Sequence, residues 1–228
     1  MDTNQEPLPF LRRPSLSAVP EMELLPCPMA ADQLPIGQLV TMTSKFTPTT
    51  LEDRDYDDIG LQWYKDVILL STSSGKFKES LGGQHLVQKP LDADTEAGTI
   101  EAEQMRVRMF KDAEAALRKA VLKDDGAEAA EWLKERVERG EDVGFVTAVR
   151  EVLNASYKHA KLVDVGGGNW EVVREMSSGH QASGKRRDSG LEVQTGSKRD
   201  AVGVVVRKVE VVGGEVKLGE EMTAHFWA

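Results

Sequence analysis

Cysteine is nearly absent. Cys27 is the only one in the chain, which excludes an intrachain disulfide and a cysteine-built zinc site. Histidine is scarce too: His85, His159, His180 and His225 stand far apart, with no partner spacing that would make a metal or catalytic cluster. No apolar run approaches the roughly 18 residues that a membrane helix needs. The opening residues, Met-Asp-Thr-Asn-Gln-Glu, lack the basic and apolar regions of a secretory leader. Positive charge is in deficit, with a formal net charge of -9. That argues against nonspecific nucleic-acid binding, which needs a basic surface, while leaving local basic clusters free to meet anionic lipid. A chain of this kind that crossed a bilayer would have to do so as a closed β-barrel.

What is present suits one domain: 228 residues, 40% of them hydrophobic and 29% charged. Residues 1–20 carry Pro7, Pro9, Pro14 and Pro20 and are expected to be a flexible arm. The remainder, 21–228, is expected to be a single domain of the α+β class, a twisted and mostly antiparallel sheet with a central helical segment at about 112–139. Residues 39–46 alternate and are β-branched, which predicts a strand. Residues 51–58 form an acidic turn, and 59–70 end in a buried apolar run of unassigned type. Residues 75–110 have the look of a polar hairpin, broken at Gly82, Gly83 and Pro90. Met105, Val107 and Met109 alternate with Arg106 and Arg108, the period of a strand with one apolar face.

Asp112 is placed to cap a helix, and the residues after it are strong helix formers. A second helix is predicted from about 127 to 139, with Trp132, Leu133 and Val137 as its core stripe. It stops at Gly140 and feeds a β-branched run, 143–153, the mark of a helix-to-strand joint. Helical spacing of Val146, Val149 and Leu153 keeps a helix open there; the Val, Phe and Thr content favours a strand. Residues 177–200 are Ser/Gly-rich and basic, and are expected to be a mobile hairpin tip or loop. Residues 202–212 predict a strand that turns at Gly213 and Gly214 into another.

Several motifs fail on inspection. The run 71–77 has a lysine after glycine, but lacks the first glycine and the hydroxyl of a phosphate loop. Asn154-Ala-Ser156 is a nominal glycosylation sequon. Arg12-Arg13-Pro14-Ser15 and Arg186-Arg187-Asp188-Ser189 match basophilic kinase sites, a pattern common by chance. Lys161-Leu-Val-Asp-Val-Gly-Gly-Gly-Asn169 resembles the first motif of S-adenosylmethionine-dependent methyltransferases, whose glycines let a cofactor approach the backbone. Here Asn169 and Trp170 replace the last glycine, and too few residues follow for the remaining units. A glycine turn between two strands is the simpler expectation.

The run Leu133-Lys-Glu-Arg-Val-Glu-Arg-Gly140-Glu-Asp-Val-Gly-Phe-Val-Thr-Ala-Val-Arg-Glu-Val-Leu153 resembles the helix, turn and strand joint of gasdermin pore-forming domains. Other pieces follow in the family's order. Glu23-Leu-Leu-Pro-Cys27 sits at the early strand and 39–46 at the next. Met105-Arg-Val-Arg-Met109 with Asp112 is similar to the entry into the central helices. Leu191-Glu-Val193 and 202–212 are similar to the return strand of the second hairpin. The family's basic N-terminal helix is replaced by the proline-containing arm, the first-hairpin region is short, and no C-terminal repressor domain is expected. That organisation is similar to the short fungal gasdermin-like regulators of cell death.

The resemblance implies a non-enzymatic pore former without a cofactor, cytoplasmic until it moves to the plasma membrane. Acidic phospholipids, cardiolipin or phosphoinositides, would be its partners, together with further copies or an allelic variant, in regulated cell death and fungal allorecognition (heterokaryon incompatibility). Arg12, Arg13, Lys185, Arg186, Arg187, Lys198 and Arg199 become the candidate lipid-binding residues. Val143, Phe145, Val149, Val204, Val206, Val209 and Val211 become the candidate membrane-inserting positions. On regular alternation Val143, Phe145 and Val149 share a face with Thr147 between them, and Val146 lies opposite. A methyltransferase-like enzyme and a plain cytosolic interaction module remain the alternatives; composition alone favours the module.

Overall fold

The structure, a computed structural model, describes residues 22–122, 127–174, 191 and 195–223. Twelve strands form one sheet in which every pairing is antiparallel. In chain order they are β1 (Glu23–Ala30), β2 (Leu39–Val40), β3 (Lys45–Phe46), β4 (Tyr56–Ser71), β5 (Phe77–Ser80), β6 (Leu86–Val87) and β7 (Thr95–Phe110). Two helices follow, α1 (Ala113–Leu122) and α2 (Ala127–Glu138). The chain then returns through β8 (Gly144–Leu153), β9 (Ser156–Gly166), β10 (Asn169–Arg174), β11 (Arg199–Val212) and β12 (Glu215–Met222). The mostly antiparallel sheet and the two expected helices are present, but strand dominates and the helical segment is a small part of the fold.

Local chemistry sets the boundaries. Asp112 Oδ1 accepts from the Ala115 backbone N–H at 2.9 Å, the capping bond expected of it. At the other end, the Gly140 N–H donates to Val137 O at 2.9 Å and the Glu141 N–H to Arg136 O at 3.0 Å. This paired closure needs a left-handed residue, and Gly140 has φ +73°. The chain leaves it directly into β8, so 143–153 is strand and not helix.

The strand expected over 39–46 is instead a tight hairpin of β2 and β3. Thr41 causes the fold-back: its hydroxyl accepts from the backbone of Thr43 at 3.2 Å and of Ser44 at 3.1 Å. The glycine run at 166–168 closes β9 onto β10, and all three glycines have positive φ. No helix opens there, which removes the structural context of a methyltransferase motif. In α2, Leu133 is buried and Trp132 packs on the core, but Val137 is 39% exposed.

The sheet is read most simply from β7. On one flank it pairs with β4 along the whole length, from Tyr56↔Phe110 to Ser71↔Thr95. On the other it pairs first with β8 and then with β9. We use proximal for the end of the sheet near the helices and distal for the end near Ser71, Thr95 and Gly166. Proximally, α1 and α2 cover one face, with Leu117, Val121 and Leu133 packed on Val146, Val149 and Val204. The opposite face holds a second core around Ile68, Ile100, Met105, Val152 and Val205. A small third core, with Val67, Leu69, Ala97, Ala160 and Val172, lies distally.

Candidate functional site

Two long antiparallel hairpins lie side by side. The first is β4 with β7, sixteen residues in each strand. In the second, β8 and β9 run out in succession and β10 and β11 return along their other flank. The two strands β8 and β9 meet β7 in one unbroken register, from Met109↔Ala148 and Gln104↔Leu153 to Glu101↔Ser156 and Ala97↔Ala160. They amount to a single strand with a break at Asn154 and Ala155. Asn154 has φ +49°, and its N–H donates to Lys198 O at 2.8 Å.

Buried carboxylates fasten both hairpins. Asp66 is fully buried on β4. It accepts from Tyr64 at 2.9 Å, from Ser80 at 2.6 Å and from the Gly83 backbone at 3.2 Å. Asp200 on β11 accepts from the Tyr157 hydroxyl of β9 at 2.8 Å and from Thr195 at 2.5 Å. These bonds satisfy charges that would otherwise be costly to bury. Burial, reinforced by its carboxylate neighbour, pushes the pKa of each tyrosine hydroxyl above its ordinary value.

A charged ladder crosses the same four strands proximally. Arg108 of β7 grips Asp58 of β4 with two bonds, at 2.9 and 3.0 Å. Arg106 reaches Glu151 of β8 at 2.6 Å, and Arg199 of β11 reaches the same carboxylate at 3.2 Å. The hydrogen bond from Arg108 holds the Asp58 carboxyl below its usual range. Asp58, Arg106, Glu151 and Arg199 line an open cleft of about 380 Å³. Its two arginines are matched by carboxylates, so it offers no unbalanced charge to an anion. No cluster of His, Cys, Asp and Glu suited to a metal is found among the described residues.

Of the candidate lipid-binding residues, Arg12, Arg13, Lys185, Arg186 and Arg187 lie outside the described residues. Lys198 is exposed beside the break in the second hairpin, and Arg199 is held by Glu151. Of the membrane-inserting candidates, Val143, Phe145, Val149, Val204, Val206 and Val209 are buried in the core beneath the helices. Val211 is 45% exposed and lines an apolar groove of about 230 Å³ with Val121, Leu133, Val137 and Val216. The face assignment for β8 also changes. The ladder to β11 steps from Val205↔Ala148 to Val206↔Val146, so Thr147 is an extra residue. This bulge inverts the alternation, and Val146 joins Val149 in one core. Thr147 is buried and donates to Val205 O at 3.2 Å. Arg207 of β11 donates to the backbone of Gly219 at 2.7 Å and of Leu218 at 3.2 Å.

Sequence reasoning missed Asp66, Asp200, Tyr157 and the break at Asn154. Asn154 carried a usable signal, since asparagine tolerates left-handed backbone and here it divides two β-rich runs. No protein-family model matches the chain, and no curated protein matches it. Among solved structures, the chain is similar to a bacterial gasdermin from Bradyrhizobium tropiciagri, with 10% identity over 88% of this chain and 87% of the other and a TM-score of 0.36. A superposition that loose adds nothing to the geometry above.

Proposed function

We propose that this protein is a pore former of the gasdermin kind, and that its two neighbouring hairpins are the parts that enter the bilayer. The observation that carries the reading is the run of long antiparallel strands, β4, β7 and β8 with β9, held in continuous register. A barrel strand needs roughly 9–11 residues to cross a membrane, and sixteen in β4 and in β7 exceed that. No described helix is long and apolar enough to span a bilayer, and strands are the other element that can do so, once closed into a barrel. The order of sequence pieces that resembles gasdermins supports the same reading.

In this scheme the body strands under α1 and α2 stay folded, because Phe145, Val149 and Val206 are their core. The distal halves of β4, β7, β9 and β10 extend. Basic side chains, among them Lys198, Lys185, Arg186, Arg187, Arg12 and Arg13, meet an acidic lipid surface, each worth about 1 kcal/mol near it. Arg199 joins them only if it leaves Glu151. Copies of the chain, or the chain and an allelic variant, close the barrel. The protein waits in the cytoplasm, moves to the plasma membrane and acts without catalysis or cofactor. Membrane loss then kills the cell, as in fungal allorecognition.

The test is dye release from vesicles containing cardiolipin, with phosphatidylcholine vesicles as the control. Release from the acidic vesicles alone is the expected result. Both vesicle types remaining sealed at micromolar protein would overturn the proposal.

A further inference from the structure

Only two non-glycine residues among those described have positive φ: Trp63 at +57° and Asn154 at +49°. They fall in one row of the sheet. The ladder between β4 and β7 passes from Gln62↔Gln104 to Tyr64↔Ala102, which sets Trp63 beside Glu103. The ladder from β7 to the second hairpin passes from Gln104↔Leu153 to Glu101↔Ser156, which brings Asn154 to the same Glu103 from the other side. The Asn154 side-chain N–H donates to Glu103 Oε2 at 2.8 Å. Three adjacent strands therefore meet at one irregular level: β4 and β7 run through it unbroken, the second hairpin breaks there, and none of them slips in register.

The pleat changes phase at this row. Residues an even number apart share a face of a regular strand. Yet Ala102 and Met105, an odd number apart on β7, lie in one core, and so do Val152 and Tyr157 across Asn154. A row of irregular residues, one per strand, accounts for both facts. Each strand reverses its alternation there, and because all three do so together the pairing is preserved.

Left-handed backbone disfavours every residue except glycine, asparagine mildly and a bulky side chain more. Trp63 has no compensating burial, being 82% exposed on the open margin of β4. We infer that the row Trp63–Glu103–Asn154 is a built-in hinge at which the two hairpins straighten. Straightening changes the backbone angles at this row and breaks no distal pairing. It also turns the distal halves over relative to the proximal ones. Val67, Leu69, Ala97 and Ala160 then come to the face that carries Met105, Val107 and Val152 below the row. The purpose given to this hinge rests on the pore-forming reading; its mechanics do not.

The test substitutes each left-handed residue in opposite senses. Asn154→Val and Trp63→Val penalise positive φ, whereas Asn154→Gly accepts it. Hydrogen exchange is followed in lipid-free protein at the amides of residues 156–160 and 67–70, and dye release is followed with cardiolipin vesicles. The valine variants should exchange faster on the order of tenfold, the penalty of left-handed backbone expressed as an opening constant. They should also release dye at lower protein concentration than the wild type. Asn154→Gly also loses the tie to Glu103, but its relaxed left-handed backbone offsets that loss, so it should do neither. Equal exchange in Asn154→Val and Asn154→Gly removes the hinge. So does slower release by valine variants that keep the wild-type circular dichroism. If a valine variant does not fold, Glu103→Ala decides, because Glu103 is exposed and its loss deletes only the tie to Asn154. Exchange should rise several-fold at 156–160 in that variant, and unchanged exchange there counts against the hinge. Sealed vesicles with the expected exchange pattern would leave the hinge standing and remove the pore reading. Dye release with uniform exchange would do the reverse.

Discussion

Replacing Tyr157 by phenylalanine should loosen the second hairpin by a calculable amount. The substitution deletes one oxygen and leaves the ring, which packs at 6.1 Å on Phe77. The lost bond is the 2.8 Å contact that ties β9 to Asp200 on β11. Asp200 is 5% exposed and, among the described residues, keeps only Thr195 as a side-chain donor. A hydrogen bond to a charged group contributes about 1.5–3 kcal/mol, and water cannot readily replace it at a buried site. For a chain of this size each kcal/mol moves the thermal midpoint by about 2–4 °C, so Tyr157→Phe should melt about 3–12 °C lower. Calorimetry measures this, and urea titration should show the same loss at an unchanged slope.

The pH dependence has a definite sign. The folded pKa of Tyr157 is raised above the ordinary value of 10.0. Its contribution is therefore complete below pH 10 and disappears as pH rises through the folded value. The gap between wild type and variant should be constant from pH 7 to 9 and narrow in stronger alkali. A midpoint shift under 1 °C at pH 7 would show that Asp200 is satisfied in another way, and the fastening role of Tyr157 would be lost.

Phe145 is fully buried and stacked at 5.4 Å on Phe110, so Phe145→Ala should cost about 3–5 kcal/mol in urea unfolding. Phe145→Asp would put a charge beneath the helices and should unfold the protein, as circular dichroism will report. Asp112→Ala removes the cap on α1 and should lower stability by about 1 kcal/mol by the same titration. A Cβ added at Gly144 would sit 2.6 Å from Val206 Cγ1. Gly144→Ala should therefore destabilise by about 1–3 kcal/mol through overpacking, read as an earlier thermal midpoint.

The amphipathic and punctuated parts of the fold were legible in the sequence. Asp112, Gly140 and the Gly166–168 turn act through their own backbone, so their effect is local and visible in the residue type. The apolar alternation of β7 and β11 likewise follows from periodicity. Facing was not legible where a bulge intervenes: the extra residue at Thr147 is specified by the partner strand, and no pattern in β8 alone announces it. Residues 39–46 misled because a threonine that favours strands also closes turns through its hydroxyl. Trp63 is the clearest failure. An aromatic in a strand gives no hint of left-handed backbone, and its conformation is imposed by the row it shares with Asn154. The candidate membrane-inserting positions follow from the resemblance and their facing from alternation, yet alternation cannot distinguish a face that meets helices from one that meets lipid.

The pairing of β1 with β11 joins Glu23 to Val204, residues at nearly opposite ends of the chain. During synthesis, at about 5–20 residues per second, β1 leaves the ribosome roughly 10–40 s before its partner exists. In that interval β1, which carries the buried Leu24 and Leu25, lacks the strand it pairs with. The first hairpin, β4 with β7, needs no later segment for its pairing and can form while β1 waits. Assembly thus begins with the first hairpin, and β1, though made before it, is among the last of the described strands to be secured. An arrested nascent chain ending before residue 199 should hold a protected first hairpin and a β1 still open to protease.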